Sequence, residues 1–403
     1  MAPRTRHYSS LQRMRYPDYQ GGSIVNLMAS LLTARGRRGQ FGPMPYPEAR
    51  LLPAAELGRA RHIVLLVIDG LGDAWLQRQS PTGPLASHRL GALSSVFPPT
   101  TATAITTYLT GDAPQQHGMT GWYMWLQELG SILAVLPGTP RHGGSGYQDA
   151  GIDPAQLFGH QPLSERLETE SVVISPKQIA RSPYNLAHLG QATLHVYKNL
   201  AGMFRQIATA VKRARSPSFI YAYWSELDAV GHQRGIESPQ ALTHLEQIEA
   251  QLSILFERLA GTDTLLLVSA DHGQLDSRPE ALIELSKLPE LVDCLRIPLC
   301  GEPRAAYCYL RPNQARRFEQ LCIKHLEPHF SLHPSAELVE AGLFGLGKAH
   351  PRLHERIGDY TLIARDDGVI HQQLAHQKAF EQIGVHGGLS PAELMVPLCG
   401  FEL

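Results

Sequence analysis

Three short runs of hydrophobic residues stand out from an otherwise mixed sequence. They are HIVLLVI at 62–68, FIYAYW at 219–224 and TLLLVSA at 264–270. Continuous apolar runs of this length are typical of strands that are buried on both faces of a parallel sheet. A further run, DYTLIA at 359–364, predicts one more strand. Two of the first three runs end directly in an aspartate, and the other reaches an aspartate four residues later.

Helical spacing of apolar residues separates these runs. It occurs at 101–110, 190–214 and 239–260, and residues 22–35 are predicted to form an amphipathic helix. Strands that alternate with helices indicate an α/β fold, in which a doubly wound, mostly parallel sheet carries helices on both faces. Ligands of such sheets gather at the carboxyl ends of the strands.

The predicted domain organisation follows from where this pattern changes. Residues 1–55 are expected to form a lead-in with one helix that packs on the core, and 56–299 with 356–403 the catalytic α/β core. Residues 300–355 show a different order, with a strand at 305–310, a helix at 312–325 and a strand plus helix at 331–339. This order predicts a small α+β cap insertion.

Composition and charge narrow the class of protein. With 36 Lys and Arg against 37 Asp and Glu, the net charge of −1 provides no overall field for a nucleic-acid polymer or an anionic lipid surface. Five cysteines without a CxxC pair argue against a disulfide framework and favour a cytoplasmic protein. No apolar run approaches the roughly 20 residues of a membrane span, and Pro17 and Asp18 interrupt the signal-peptide-like start.

Acidic and histidine residues cluster in four short glycine-bearing segments, IDG, ELDAVGH, ADHG and GVHGG. Mixed carboxylate and imidazole ligands suit zinc, with manganese as the alternative, whereas magnesium sites rarely use histidine. Three carboxylates with two divalent ions leave a slightly positive site, which suits an anionic phosphate ester. The candidate ligands are Asp69, Asp228, His232, Asp271, His272 and His386.

A threonine-rich segment at 95–118 offers a candidate nucleophile. Thr100 can cap a helix that begins near Thr101, directly after Pro98-Pro99. A hydroxyl at a helix N-terminus lies in a positive field, and a neighbouring metal lowers its pKa further. The structural alternative is a plain helix start with buried hydroxyls.

Five segments taken in order resemble one known family. Asp69, the PPTT-to-TG segment, LDAVGH, ADHG and the terminal VHGG resemble the type I phosphodiesterase/nucleotide pyrophosphatase branch of the alkaline phosphatase superfamily. The resemblance implies an alkaline phosphatase-like fold and a phosphothreonine intermediate. It also favours Thr101 over Thr100 as the nucleophile, because Thr101 lies ten residues before Gly111. The implied ligands are Asp228, His232 and His386 for one metal, and Asp69, Asp271 and His272 for the other, with Thr101 facing both.

Two departures from the family pattern bear on the substrate. Ala102 follows the nucleophile where nucleotide-type diesterases carry an aromatic residue, and Trp122 follows the His117-Gly118 pair where they carry an asparagine. An indole only donates hydrogen bonds. The expected activity is therefore phosphodiesterase or nucleotide pyrophosphatase action on a small phosphate ester. The alternatives are a phosphomonoesterase, a phosphonate hydrolase and a non-catalytic metal- or phosphate-binding homologue.

Two weaker signals concern the substrate pocket. Trp122 and Tyr123 are candidate substrate-binding residues, because aromatic side chains can stack on an organic group. The glycine-rich segment RHGGSG at 141–146 can contact phosphate, but it follows no clear strand and is expected to be a loop.

Overall fold

The computed structural model describes residues 15–37, 45–147, 149–375, 377 and 379–403. The arginine-rich start of the chain, residues 1–14, lies outside this description. The strands are β1 (His62–Ile68), β2 (Arg89–Ser94), β3 (Tyr123–Leu126), β4 (Ser131–Ala134), β5 (Thr139–Pro140), β6 (Glu170–Pro176), β7 (Thr193–Tyr197), β8 (Ser218–Trp224), β9 (Thr264–Ser269), β10 (Leu275–Asp276), β11 (Leu282–Glu284), β12 (Cys300–Glu302), β13 (Ala305–Cys308), β14 (Phe330–Pro334), β15 (Tyr360–Ala364), β16 (Val369–His371), β17 (Gly384–Val385) and β18 (Met395–Glu402).

Helices connect and cover these strands. They are α1 (Ile24–Arg35), α2 (Ala54–Leu57), α3 (Asp73–Gln79), α4 (Pro84–Ser87), α5 (Thr101–Thr110), α6 (Pro114–His117), α7 (Pro154–Phe158), α8 (Leu163–Arg166), α9 (Pro183–Leu189), α10 (Leu200–Arg213), α11 (Glu226–Arg234), α12 (Pro239–Leu259), α13 (Pro289–Cys294), α14 (Ala315–His325), α15 (Ser335–Glu340), α16 (Leu353–Ile357) and α17 (Pro391–Leu394). No helix among the described residues is long and apolar enough to cross a bilayer.

A seven-stranded sheet forms the centre of the fold, in the order β2-β18-β9-β1-β8-β6-β7. The five strands from β9 to β7 are parallel. At the β9 edge, β18 pairs antiparallel with β9, and β2 pairs antiparallel with β18. Every residue of β1, β8 and β9 is buried. This agrees with their continuous apolar runs, which predicted strands that are covered on both faces. The mostly parallel α/β fold predicted from the sequence is therefore confirmed.

A second seven-stranded sheet has the order β14-β15-β13-β12-β3-β4-β5. All of its pairs are antiparallel. It contains the run at 359–364, so the strand predicted there is present as β15, in this antiparallel sheet and not in the central one. The sheet also includes strands from 123–140, so it extends beyond the cap predicted at 300–355. The proposed domain boundaries themselves stay a prediction.

Two helix predictions need correction. The helix at Ile24–Arg35 is not amphipathic, because its first eight residues are all buried. The segment predicted as one helix at 190–214 contains β7 followed by α10. β7 is the edge strand of the main sheet and is half-exposed along most of its length, so it lacks the continuous apolar run of a central strand. The helices predicted at 101–110 and 239–260 are present as α5 and α12.

Candidate metal centre and nucleophile

The acidic residues of the site lie at one edge of the central sheet. Asp69 directly follows β1, and Asp271 comes two residues after β9. Val67 of β1 pairs with Ser269 of β9, so the parallel register carries these two carboxylates to the same level. The next parallel strand, β8, runs into α11, whose first turn contains Asp228. The parallel topology thus brings together three segments that are far apart in the sequence.

One group of candidate ligands is fully buried beneath this edge. Potential ligand atoms of Asp69, Asp271 and His272 lie within 4.8 Å of one another. His272 Nε2 is 3.3 Å from Asp69 Oδ1 and 3.6 Å from Asp271 Oδ2. These residues are the set that the family resemblance assigned to one metal.

A second group lies beside the first and shares a residue with it. Ligand atoms of Asp228, His272 and His386 also lie within 4.8 Å of one another. His386 Nε2 is 3.8 Å from Asp228 Oδ1, and His232 Nε2 is 3.1 Å from Asp228 Oδ2. His232 adjoins Asp228 without belonging to this mutually close group, and the His272 and His386 rings stack at 3.7 Å. The structure thus brings all six predicted ligands together, with His272 between the two groups.

The three histidines are oriented by backbone carbonyl groups. The Nδ1 atoms of His232, His272 and His386 lie 2.7, 3.0 and 3.2 Å from the carbonyl oxygens of residues 384, 273 and 99. A carbonyl oxygen only accepts hydrogen bonds, so each contact favours a proton on Nδ1 and a lone pair on Nε2. This is the arrangement by which proteins present histidine Nε2 to a metal.

The buried carboxylates fit divalent cations. Asp69 Oδ1 and Asp271 Oδ2 are buried without a hydrogen-bond partner among the described residues. Burial, together with the charges of Asp271 and Asp228, raises the pKa of Asp69 well above its ordinary value. Burial also opposes ionisation of Asp228, but His232 and the other histidines hold the pKa of Asp228 below its ordinary value. Such crowding of negative charge is relieved when a cation binds between the carboxylates.

Two supporting residues were missed by the sequence analysis. The Tyr223 hydroxyl donates a hydrogen bond to Asp69 Oδ2. Gln274 donates from Nε2 to the carboxylate of Asp228. Gln274 is three residues beyond Asp271, so proximity to a motif was a usable signal, whereas Tyr223 is hidden inside an apolar strand. Both side chains fix the orientation of a candidate ligand.

Thr101 is the first residue of α5 and points at this centre. Its Oγ1 lies 3.3 Å from His272 Nε2, the histidine shared by the two ligand groups. Thr100 is the N-cap residue, as predicted, but its side chain makes no capping hydrogen bond. The first amides of α5 are therefore left available beside the Thr101 hydroxyl. This is the arrangement expected of an anion site at a helix N-terminus.

Two cavities meet at Thr101, with volumes of about 450 Å³ and about 630 Å³. Trp122 and Asp228 also line both cavities. Tyr123 lines the smaller cavity, which the second sheet encloses in part. These positions agree with the substrate-binding role predicted for the two aromatic residues, and the role itself stays a prediction.

Glu302 of β12 is a further residue that the sequence did not reveal. It is buried in the wall of the smaller cavity, and burial raises its pKa to about 7. Its Oε1 accepts a 2.6 Å hydrogen bond from the Trp122 backbone amide. Glu302 thereby fixes the backbone at the position where the family pattern has asparagine.

Comparisons with known proteins agree with this geometry. The family model "Type I phosphodiesterase / nucleotide pyrophosphatase" matches residues 63–389. No curated protein matches the chain in sequence. Murine ectonucleotide pyrophosphatase/phosphodiesterase 5 is similar in structure, with a TM-score of 0.61 and 17% identity over 83% of this chain and 87% of that one.

Two further solved structures share the fold. One is an inactive threonine-to-alanine variant of the same murine protein in complex with AMP, with a TM-score of 0.61 and 16% identity over 83% of this chain and 87% of that one. The other is phosphonoacetate hydrolase from Sinorhizobium meliloti 1021 in complex with phosphonoformate. Its TM-score is 0.60, with 17% identity over 85% of this chain and 90% of that one.

Proposed function

The chain belongs to the type I phosphodiesterase/nucleotide pyrophosphatase family, a family of phosphoester hydrolases, and on that premise we propose that it cleaves phosphodiesters or pyrophosphates through a phosphothreonine intermediate on Thr101. The observation that supports this proposal best is the position of the Thr101 hydroxyl, 3.3 Å from the histidine that two groups of candidate metal ligands share. If Thr101 only began a helix, six candidate metal ligands would not be needed beside its hydroxyl.

We propose that the six ligands hold two divalent ions, zinc or manganese. The fit rests on two buried carboxylate oxygens that have no hydrogen-bond partner among the described residues, and on the three histidines that present Nε2. When bound, such ions lower the pKa of a neighbouring hydroxyl and stabilise charge on phosphoryl oxygens. The five free, buried cysteines support the further proposal that the protein works in the cytoplasm.

In the proposed reaction, residues of this chain position the nucleophile and the phosphoryl group. The Thr101 oxygen attacks phosphorus in line, a bond from Oγ1 to phosphorus forms, and the bond to the leaving oxygen breaks. The first amides of α5 can donate hydrogen bonds to a phosphoryl oxygen, a role that the missing asparagine otherwise fills. Water then hydrolyses the phosphothreonine. The two cavities provide one space for each substituent of a diester.

Turnover of model substrates tests the proposed reaction class. Zinc- or manganese-loaded protein is expected to hydrolyse bis(p-nitrophenyl) phosphate faster than p-nitrophenyl phosphate, because the second ester arm has a cavity of its own. The measurement is the initial rate of nitrophenolate release from each compound. A reversed preference would favour the phosphomonoesterase, and no turnover by fully metal-loaded protein would favour a non-catalytic binding protein.

A pair of neighbouring substitutions tests the nucleophile. Thr101→Ala should bind both metals and lose at least about a hundredfold in kcat, because the attacking oxygen is gone. Thr100→Ala removes the adjacent hydroxyl, which is not hydrogen-bonded to His272 in the described part of the chain, and should stay within about tenfold of the wild type. Mass spectrometry of acid-quenched wild-type protein should show one added phosphoryl group on Thr101. Full activity of Thr101→Ala would remove this residue from the mechanism.

The structural similarity to phosphonoacetate hydrolase supports phosphonate hydrolysis as a second candidate, since its TM-score of 0.60 nearly equals that of the pyrophosphatase/phosphodiesterase. Release of inorganic phosphate from phosphonoacetate, measured beside the two nitrophenyl compounds, distinguishes the two. Phosphate release without diester turnover would establish the second candidate in place of the first.

A further inference from the structure

The smaller cavity contains a buried cation that the proposed chemistry at Thr101 does not use. Arg141 follows β5 in the second sheet and lines the cavity of about 450 Å³ that also opens onto Thr101. Arg141 is buried, and only 8% of the residue is exposed. It is the first residue of the glycine-rich segment at 141–146, whose function the sequence left open.

The hydrogen bonds of Arg141 leave its charge without a counter-ion. Nη1 donates to the Leu299 carbonyl, and Nη2 donates to the Gln372 carbonyl at 2.7 Å. Nε is buried and has no hydrogen-bond partner among the described residues. Within the same part of the chain, no carboxylate forms an ion pair with Arg141. The guanidinium carbon lies 4.3 Å from the centre of the Tyr123 ring, which is a weaker cation–π contact.

A purely structural role does not account for this arrangement. Two carbonyl contacts could be made by a neutral donor, whereas burial of a guanidinium costs free energy unless an anion compensates for it. Burial lowers the pKa of Arg141, which reflects this cost, although guanidinium groups keep their proton in proteins. Another buried cation near the second sheet, Arg304, forms a two-pronged ion pair with Glu393. In the described part of the chain Arg141 has no such partner, and it lines an open cavity instead.

The acidic groups of the same cavity do not neutralise Arg141. Glu302 accepts the Trp122 amide and shares a hydrogen bond with Thr100, so its carboxyl is directed at the protein. Glu381 is exposed to solvent, and His371 is engaged with Glu284 at 3.3 Å. Among the described residues of the cavity, Arg141 is therefore a buried positive group with an unused donor, and the cavity is continuous with the candidate nucleophile.

We propose that Arg141 binds a second anionic group of the substrate, a terminal carboxylate or phosphoryl group on the arm that occupies the smaller cavity. This inference rests on the proposed function, because the first phosphoryl group is placed at Thr101 and the metals. A guanidinium suits this role, since it offers donors in a fixed fork to carboxylate or phosphate oxygens. The preferred substrate would then be a phosphoester or phosphonate with an additional anion, rather than one with a neutral arm.

Binding of matched ligands tests the inference without turnover. The ligands are alkylphosphonates of several chain lengths that end in carboxylate, in phosphonate or in neutral carboxamide. Isothermal titration calorimetry on zinc-loaded wild-type protein should show at least one chain length at which an anionic end binds about tenfold tighter than the carboxamide. Whichever anionic end shows the larger gain identifies the carboxylate or the phosphoryl group as the natural one.

Substitutions assign this gain to Arg141. Arg141→Gln should abolish the preference for the anionic end and leave carboxamide binding within about threefold, since the phosphonate end is bound elsewhere. Arg141→Lys keeps the charge and should keep part of the preference, which covers the case in which the glutamine variant folds poorly. Arg78→Gln removes an exposed arginine and should behave as wild type. An unchanged preference in Arg141→Gln, or equal affinities for all three ligand ends in wild type, would overturn the inference.

A second measurement separates this inference from the proposed function. If no phosphonate binds to zinc-loaded protein, the proposed metal site is wrong. The inference about Arg141 is then tested on metal-free protein. Inorganic phosphate should then raise the melting temperature of wild-type protein more than that of Arg141→Gln, because Arg141 does not depend on a metal. An equal rise in both proteins would show that Arg141 binds no anion.

Discussion

At the scale of single residues, the site depends on side chains that hold the candidate ligands in place. Each histidine is oriented through Nδ1, and Asp69 accepts a hydrogen bond from Tyr223. Removal of such a supporting contact typically weakens metal affinity by about 10- to 100-fold. The strand β8 offers a matched pair for this comparison, because Tyr221 and Tyr223 lie two residues apart on it and both are buried.

Tyr223→Phe is expected to weaken zinc binding by at least about tenfold, because Asp69 loses the hydroxyl that orients it. Competition with a fluorescent zinc chelator measures this change. Tyr221→Phe removes a hydroxyl that has no hydrogen-bond partner among the described residues, so its zinc affinity should equal that of wild type. Equal affinities in the two variants would contradict the orienting role of Tyr223.

At the scale of elements, a buried ion pair ties the second sheet to the segment that carries His386. Arg304, between β12 and β13, donates from Nε and Nη2 to the two oxygens of Glu393, at 2.6 and 2.8 Å. Both side chains are fully buried. Glu393 also accepts from the Gly388 amide and the Ser390 hydroxyl, so one carboxylate fixes the turn that follows His386.

Arg304→Met should lower the free energy of unfolding by about 3–5 kcal/mol, because it leaves Glu393 buried without its counter-charge. Urea unfolding of the metal-free protein measures the loss. Arg78→Met breaks an exposed ion pair with Glu237 and should cost less than about 1 kcal/mol. Similar losses in the two variants would show that the buried pair does not stabilise the fold more than a surface pair does.

Whether a strand could be predicted from the sequence depended on how it is buried in the fold. The central strands were evident because burial on both faces leaves a continuous apolar run. The run at 359–364 has the same signature, but it is buried in the antiparallel second sheet, and composition does not reveal which sheet a strand joins. The edge strand Thr193–Tyr197 is half-exposed, so it was absorbed into a predicted helix.

Some residues of the candidate site could be predicted from the sequence, and others could not. Glycine-bearing turns at strand ends identified all six candidate ligands, because tight turns and metal-binding side chains leave a local pattern. Glu302 and Tyr223 were missed, and Arg141 was noted only as part of the RHGGSG segment, since tertiary structure alone brings these residues to the site. Arg141 and Glu302 come from two distant segments of the second sheet. A single sequence contains no local signal for such contacts.

At the scale of the whole molecule, stability is linked to pH through a buried histidine cluster away from the candidate metal centre. His160 lies between His188, at 3.0 Å from its Nε2, and the His117 carbonyl. Burial lowers the pKa of His188 to about 4, and burial together with neighbouring histidines lowers the pKa of His117 and His160 well below the ordinary value. The cluster is therefore neutral in the folded protein at neutral pH.

The expected consequence is a loss of stability as the pH falls. An unfolded histidine takes up its proton near pH 6.5, whereas folded His188 does so only near pH 4. Its contribution is therefore fully present above about pH 6.5 and is lost as the pH falls towards 4. Between pH 7 and pH 5 this residue alone should cost about 2 kcal/mol of unfolding free energy.

Urea unfolding of metal-free protein at pH 7 and pH 5 measures this linkage. The decrease should be smaller by about 2 kcal/mol in His188→Gln than in wild type, because glutamine does not titrate. The candidate metal-ligand histidines are the same in both proteins, so their contribution cancels in the comparison. His142→Gln alters an exposed histidine and should keep the wild-type pH dependence. If His188→Gln lost as much stability as wild type, protonation of His188 would not drive acid destabilisation of this fold.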